Sequence, residues 1–123
     1  MKYISLKMFT IYLAVLLSLI VIGSAKAQNP CGNDEICVVQ FNAGFNEANK
    51  VDWVEKLGDC EKETKSIDGN SNQKDYSIAV VPTIVIFDDG EEVKRFQADL
   101  SFKMVATRKE VQDFIDELII SKF

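Results

Sequence analysis

The chain contains no histidine. That excludes Ser-His-Asp and Cys-His nucleophilic catalysis and argues against a conventional zinc site, so no metal is expected. Cysteine is sparse: Cys31, Cys37 and Cys60 are the only three, and no two of them stand in a Cys-x-x-Cys spacing. Proline occurs twice, as Pro30 and Pro82. Basic residues are outnumbered 14 to 19, for a formal net charge of −5. The basic set Lys103, Arg108 and Lys109 is too small for a nucleic-acid patch, and an acidic surface disfavours that partner. There are no internal repeats or low-complexity tracts.

What is present begins with export grammar. Lys2 and Lys7 precede an apolar run from Ile11 to Ile22, and Ser24-Ala25-Lys26-Ala27 closes it. A basic start, a short apolar core and an Ala-x-Ala end describe a secretory signal, with cleavage expected before Gln28. The expected organisation is a signal peptide over 1–27 and one domain over 28–123, exported to a periplasmic or extracellular space. The run is short for a membrane span. An uncleaved anchor is the rival reading, and membrane association is expected only if the segment is retained. No cysteine follows the cleavage site directly, which argues against a lipid anchor. Cleavage would remove three of the 14 basic residues and no acid, leaving 11 against 19 and a net charge of −8.

Ile36-Cys37-Val38-Val39-Gln40-Phe41 is short, apolar and rich in β-branched residues, the pattern of a buried central strand. Asn42 to Phe45 reads as a loop. A helix follows, with Ala48, Val51, Val54 and Leu57 along one face and Gly58 as its stop. Cys60 to Ile67 is too polar for an inner strand. Its lysines suit an edge, where charge discourages pairing with other chains. Asp68 to Asn72 turns into a short helix ending near Tyr76. That turn imitates the start of a calcium loop, but Gln73 and Ala79 stand where glycine and glutamate are required.

Pro82 opens the apolar run Thr83 to Phe87, and a proline can only begin such a strand or sit in the turn before it. Asp88-Asp89-Gly90 makes a hairpin. Glu91 to Gln97 returns antiparallel with Val93 and Phe96 facing inward, a spacing that calls for a bulge. Leu100, Phe102 and Met104 are expected to pack in alternation along an irregular stretch. Thr107-Arg108-Lys109-Glu110 is a capping box. It opens a helix whose Val111, Phe114, Ile115, Leu118 and Ile119 form one stripe. The order β-α-β-α-β-β-α predicts an α/β domain with a four-stranded mixed sheet and helices on both faces.

With these residues in place the chain resembles the thioredoxin family over most of residues 28–123. Tyr76, Ile78, Val81-Pro82-Thr83, Phe87 and Gly90 match that family's tyrosine, isoleucine, Pro-Thr turn and Phe-x-x-Gly hairpin. The resemblance implies a thioredoxin-like fold and a cis Val81–Pro82 bond. It also places Asn46 and Asn49 at the positions of the two redox cysteines, and Gln40 where a buried aspartate often stands. Dithiol chemistry needs a thiolate at a helix N-terminus and a second thiol one turn away. An amide supplies neither, and a chain with no thiol to deprotonate needs no buried acid. No catalytic residue and no cofactor are expected on this reading.

Two functions from different classes follow. The first is an exported, redox-inactive binding or scaffold module that docks an extended peptide or protein through Phe45, Val81, Pro82 and Thr83. In the family that turn offers backbone groups to a peptide in the manner of strand addition. Trp53 is a weaker candidate for the same groove. The alternative is a thiol-disulfide redox protein that uses its non-motif cysteines. Cys37 reads as a buried free thiol, a small hydrophobe within its strand. Cys31 and Cys60 precede neighbouring strand starts and are disulfide candidates, with Cys37–Cys60 as a competing pairing. A structural bridge is the default for either.

Overall fold

The computed structural model describes residues 30, 31 and 35–123. The segment read as a signal peptide lies outside them. The elements are β1 (Ile36–Asn42), two 3-10 segments (Gly44–Asn49 and Asp52–Lys56), β2 (Glu61–Ser66), α1 (Asn72–Asp75), β3 (Thr83–Asp88), β4 (Glu91–Gln97) and α2 (Arg108–Ile120). One mixed sheet runs β2-β1-β3-β4. β1 pairs parallel with β2 and antiparallel with β3, and β3 pairs antiparallel with β4.

The period of two along β1 and β3 divides the core. Ile36, Val38, Ile84 and Ile86 face one side, under Val51, Val54 and Leu57 of the linker and Val111 and Ile115 of α2. Cys37, Val39, Phe41, Val85 and Phe87 face the other, under Ala43, Ile78 and Val81, with Tyr76 and Cys31 packed at the margin. Every residue of β1 is buried, as expected of a central strand covered on both faces. β2 is the charged edge its lysines indicated.

The helix expected after Phe45 is instead a pair of 3-10 segments, and its hydrogen bonds show why. Asn46 N–H donates to Ala43 O, Lys50 N–H to Glu47 O and Leu57 N–H to Val54 O, each three residues back. The Asn46 carbonyl, the acceptor an α-helix would offer to Lys50, is taken by Asn42 Nδ2 at 3.2 Å. Side-chain amides that bond nearby backbone compete with helix in this way. Val51, Val54 and Leu57 recur every three residues, the 3-10 period, and all are buried. Ala48 is exposed, not on the inner face. Gly58 does follow the last segment, but Asp59 takes the left-handed turn at φ 60°.

At the other end of the chain, Asp89 (φ 53°) and Gly90 (φ 81°) form the two-residue hairpin between β3 and β4. The pairing slips between Ile86–Lys94 and Phe87–Glu92, so Val93 is the bulged residue. The bulge turns Val93 outward, to 39% exposure, while Phe96 packs inward. Leu100 is almost wholly exposed; Met104 alone of its alternating set packs against the core, held by an isolated bridge to Ala98. Thr107 accepts from Glu110 N–H at 3.2 Å and caps α2.

Candidate functional site

The loop after β1 and the turn before β3 meet at one end of the sheet. The Val81–Pro82 peptide bond is cis. Phe41, near the end of β1, pairs with Thr83, which fixes the loop opposite that turn. Thr83 and Pro82 are buried, and the Thr83 hydroxyl donates to Val80 O. Pro82 O accepts from Ala98 N–H at 3.1 Å, which ties the turn to the end of β4.

Between loop and turn lies a network of amides. Asn46, 3% exposed, directs Nδ2 at Asn42 Oδ1 (3.1 Å), Val81 O (3.2 Å) and Phe102 O (3.1 Å). Its Oδ1 accepts from Asn49 Nδ2 at 2.8 Å. One side chain thus joins the β1 loop, the cis-proline turn and the loop before α2. Below it, fully buried Gln40 brackets Val51: Nε2 donates to Val51 O at 3.0 Å and Oε1 accepts from Val51 N–H at 2.7 Å. All four carboxamides, Gln40, Asn42, Asn46 and Asn49, are neutral and occupied as hydrogen-bonding groups. They hold structure; they do not carry protons or electrons.

Phe45 stands out of this network, 72% exposed, its ring edge-to-face with Phe102 at 5.3 Å. Phe45, Phe102, Ile67, Ile78, Val80 and Val81 line a groove of about 140 Å³. The structure therefore brings exposed Phe45 and buried Val81 to one groove, while Pro82 and Thr83, also buried, are not among its lining residues. Val81 N–H has no acceptor among the described residues. Trp53 lines a separate recess of about 320 Å³ with Asn49, Lys50 and Lys103, so it does not belong to the Phe45 groove.

Asn42, Phe102 and Arg95 were not singled out by the sequence. Asn42, Asn46 and Asn49 within one loop are a recognisable run of self-bonding amides. Nothing local marks Phe102 or Arg95. Arg95 reaches from β4 to Tyr76 O (2.6 Å) and Ser77 O (2.7 Å), where α1 ends, and pairs with Glu92 at 2.7 Å. It supplies donors to carbonyls that a helix end leaves unpaired. Asp68 likewise fixes the loop by accepting from Gly44 N–H at 2.6 Å; a Cβ at Gly44 would stand 3.1 Å from that carboxylate.

The cysteine pairing differs from expectation. Cys31 bonds to Cys37, with Cα atoms 6.2 Å apart, and Cys60 is the free thiol. The reason is the sheet itself. Cys37 and Cys31 pack on the Phe41 face, whereas Cys60 packs against the Ile36 face, so the sheet separates Cys60 from both. Cys37 is thus neither free nor available to Cys60. Burial pushes the Cys60 thiol up, against a smaller opposite effect of Lys62, which disfavours a reactive thiolate. Cys37 lies four residues along β1 from Phe41, roughly 13 Å at strand rise, so the disulfide sits away from the proline turn. Reduction should lower stability by about 2 kcal/mol, the value for closing so short a loop, with the sheet intact. Urea unfolding with and without reductant, followed by circular dichroism, measures it.

No protein-family model matches the chain. No curated protein matches it either. Solved structures do. A single-site variant of thioredoxin from Halobacterium salinarum NRC-1 superposes with a TM-score of 0.53 at 21% identity, over 68% of this chain and 74% of that one. A designed protein gives 0.53 at 21%, over 78% and 87%. Thioredoxin-2, a component of the malaria parasite's protein secretion machinery, gives 0.51 at 14%, over 68% and 82%. The fold is thioredoxin-like.

Proposed function

We propose that this chain is an exported thioredoxin-like domain without dithiol activity that docks an extended peptide or protein segment. The Asn46 network carries the reading. The loop that faces the cis-proline turn holds amides where the fold's redox members hold thiols, and each amide is committed to a structural bond. The exposed Phe45 beside an apolar groove that Val81 helps to line supports docking of an extended segment. Export rests on the basic, apolar and Ala-x-Ala pattern of residues 1–27, and a disulfide in the domain accords with an oxidising compartment.

The test is a disulfide reductase assay with insulin as substrate and dithiothreitol as donor. The protein should give no rate above the uncatalysed reaction, before or after alkylation of its free thiol. The Cys31–Cys37 disulfide favours one other reading, a redox protein that works through these sulfurs. On that reading the disulfide takes two electrons and two protons from a dithiol donor, which is itself oxidised to a disulfide. Turnover that disappears on Cys31→Ser would establish that reading and remove the first.

A further inference from the structure

The second recess, beside Asn49, lies between the linker and the loop before α2. At about 320 Å³ it falls at the lower end of the roughly 300–1,000 Å³ typical of small-molecule pockets. Both of its walls are held from behind. On the linker side, Gln40 clamps the Val51 backbone with two hydrogen bonds, and Asn49 is tied to Asn46. On the loop side, Lys103 N–H donates to Asp99 Oδ1 at 3.1 Å, and Met104 bridges to Ala98. A ligand entering between such walls has little backbone to order.

The lining combines a flat apolar surface with positive charge. Trp53 and Met104, both half-buried, supply the apolar part. The Trp53 indole N–H has no acceptor among the described residues and is free to donate. Lys50 and Lys103 are exposed, one on each wall, and neither forms an ion pair with a described residue. Asp52 is the one carboxylate of the lining and is likewise unpaired there. Asp99 also feels Lys103, but its carboxylate lies outside the lining, engaged by the Ser101 hydroxyl at 2.6 Å and by the Ser101 and Lys103 N–H groups. Two ammonium groups against one carboxylate make the lining net positive, in a chain that carries −5 overall.

We infer that this recess binds a small aromatic carboxylate. The ring lies against the Trp53 indole and the Met104 thioether, both of which attract an aromatic face or edge. The carboxylate sits between Lys50 and Lys103, where it accepts charge-assisted hydrogen bonds. A neutral ring would leave both lysines unused, and a cationic one would meet them as like charges. The recess shares no lining residue with the Phe45 groove, so its ligand is separate from the peptide proposed above.

Trp53 is the chain's single tryptophan, so its fluorescence reports on this recess directly. The purified protein is titrated with phenylacetate, 2-phenylethanol, 2-phenylethylamine and acetate. Phenylacetate should change the Trp53 emission saturably, with half-saturation at about 1 mM or below, the scale of a good ligand of roughly ten non-hydrogen atoms. The other three should bind at least about tenfold more weakly. Added salt should weaken phenylacetate and leave 2-phenylethanol unchanged. A Lys50→Gln/Lys103→Gln double variant, changed at exposed positions only, should keep its circular dichroism and lose about tenfold in phenylacetate affinity. Asp52→Asn should tighten phenylacetate, because it removes the opposing charge. No saturable response to phenylacetate overturns the site. Equal binding of phenylacetate and 2-phenylethanol, or tighter binding of 2-phenylethylamine, overturns the anion. Full phenylacetate affinity in the folded double variant overturns the two lysines as its partners.

Discussion

Asn46→Ala should lower the stability of the domain by roughly 2–4 kcal/mol, because it strands several buried polar groups at once. The Asn46 Nδ2 group has two hydrogens and three acceptors within 3.2 Å, so one hydrogen is shared. With it gone, Val81 O, Phe102 O and Asn42 Oδ1 lose a donor, and Asn49 Nδ2 loses an acceptor. Each stranded group costs about 1–3 kcal/mol when dry, less where water enters. Asn49→Ala is the control. It removes a single bond from a half-buried side chain and should cost about 1 kcal/mol. Urea unfolding measures both, with an unchanged slope showing that the midpoint shift is a stability change. If the two variants cost the same, the Asn46 bonds to Val81 and Phe102 contribute nothing, and the amide network does not stitch the three segments.

The contrast between Asn46 and the strands beside it shows what the sequence reveals and what it hides. β1 and β3 announce themselves because burial on both faces demands a continuous apolar run, and Val38-Val39 and Ile84-Val85-Ile86 have no other reading. Charges mark β2 as an edge, Asp89-Gly90 marks the hairpin, and Thr107 and Glu110 mark the start of α2. The linker is harder. Three apolar residues spaced by three fit either a 3.6 or a 3.0 period, and the decision falls to the Asn42 amide that occupies a carbonyl. Long-range pairings leave still less trace. Arg95 meets carbonyls 18 and 19 residues away, and Phe102 meets Asn46 across 56. The disulfide follows from side-chain parity along β1 and from the packing of Cys31 on the Phe41 face, and only the first of these is visible in the sequence. Trp53, Val93 and Leu100 show the same limit: apolar character alone does not say which face, or whether any face, receives them.

Gln40→Glu should turn a pH-insensitive contact into a pH-dependent one, with a large cost at neutral pH. The glutamine offers one donor and one acceptor to Val51, at a point where both residues are buried. A protonated glutamic acid reproduces that pair: its hydroxyl donates to Val51 O and its carbonyl accepts from Val51 N–H. An ionised one cannot, since both oxygens accept and one faces the Val51 carbonyl without a cation to offset it. Burial and that carbonyl both disfavour the charge, so the folded-state pKa of Glu at this position rises above its ordinary value near about 4.3. For a group raised on folding, stability is intact below the unfolded pKa and is lost as pH climbs toward the folded one. Relative to the parent, the variant should be nearly equal at pH of about 4 and then fall by up to about 1.4 kcal/mol per pH unit, to a deficit of roughly 3–4 kcal/mol at neutrality. Gln40→Leu removes both bonds without adding a charge, so its cost should be flat across the same range. Paired urea titrations at acid and neutral pH separate the two. A flat profile for Gln40→Glu would mean that water reaches the Gln40–Val51 contact, and the dry frame beneath the amide loop would have to be abandoned.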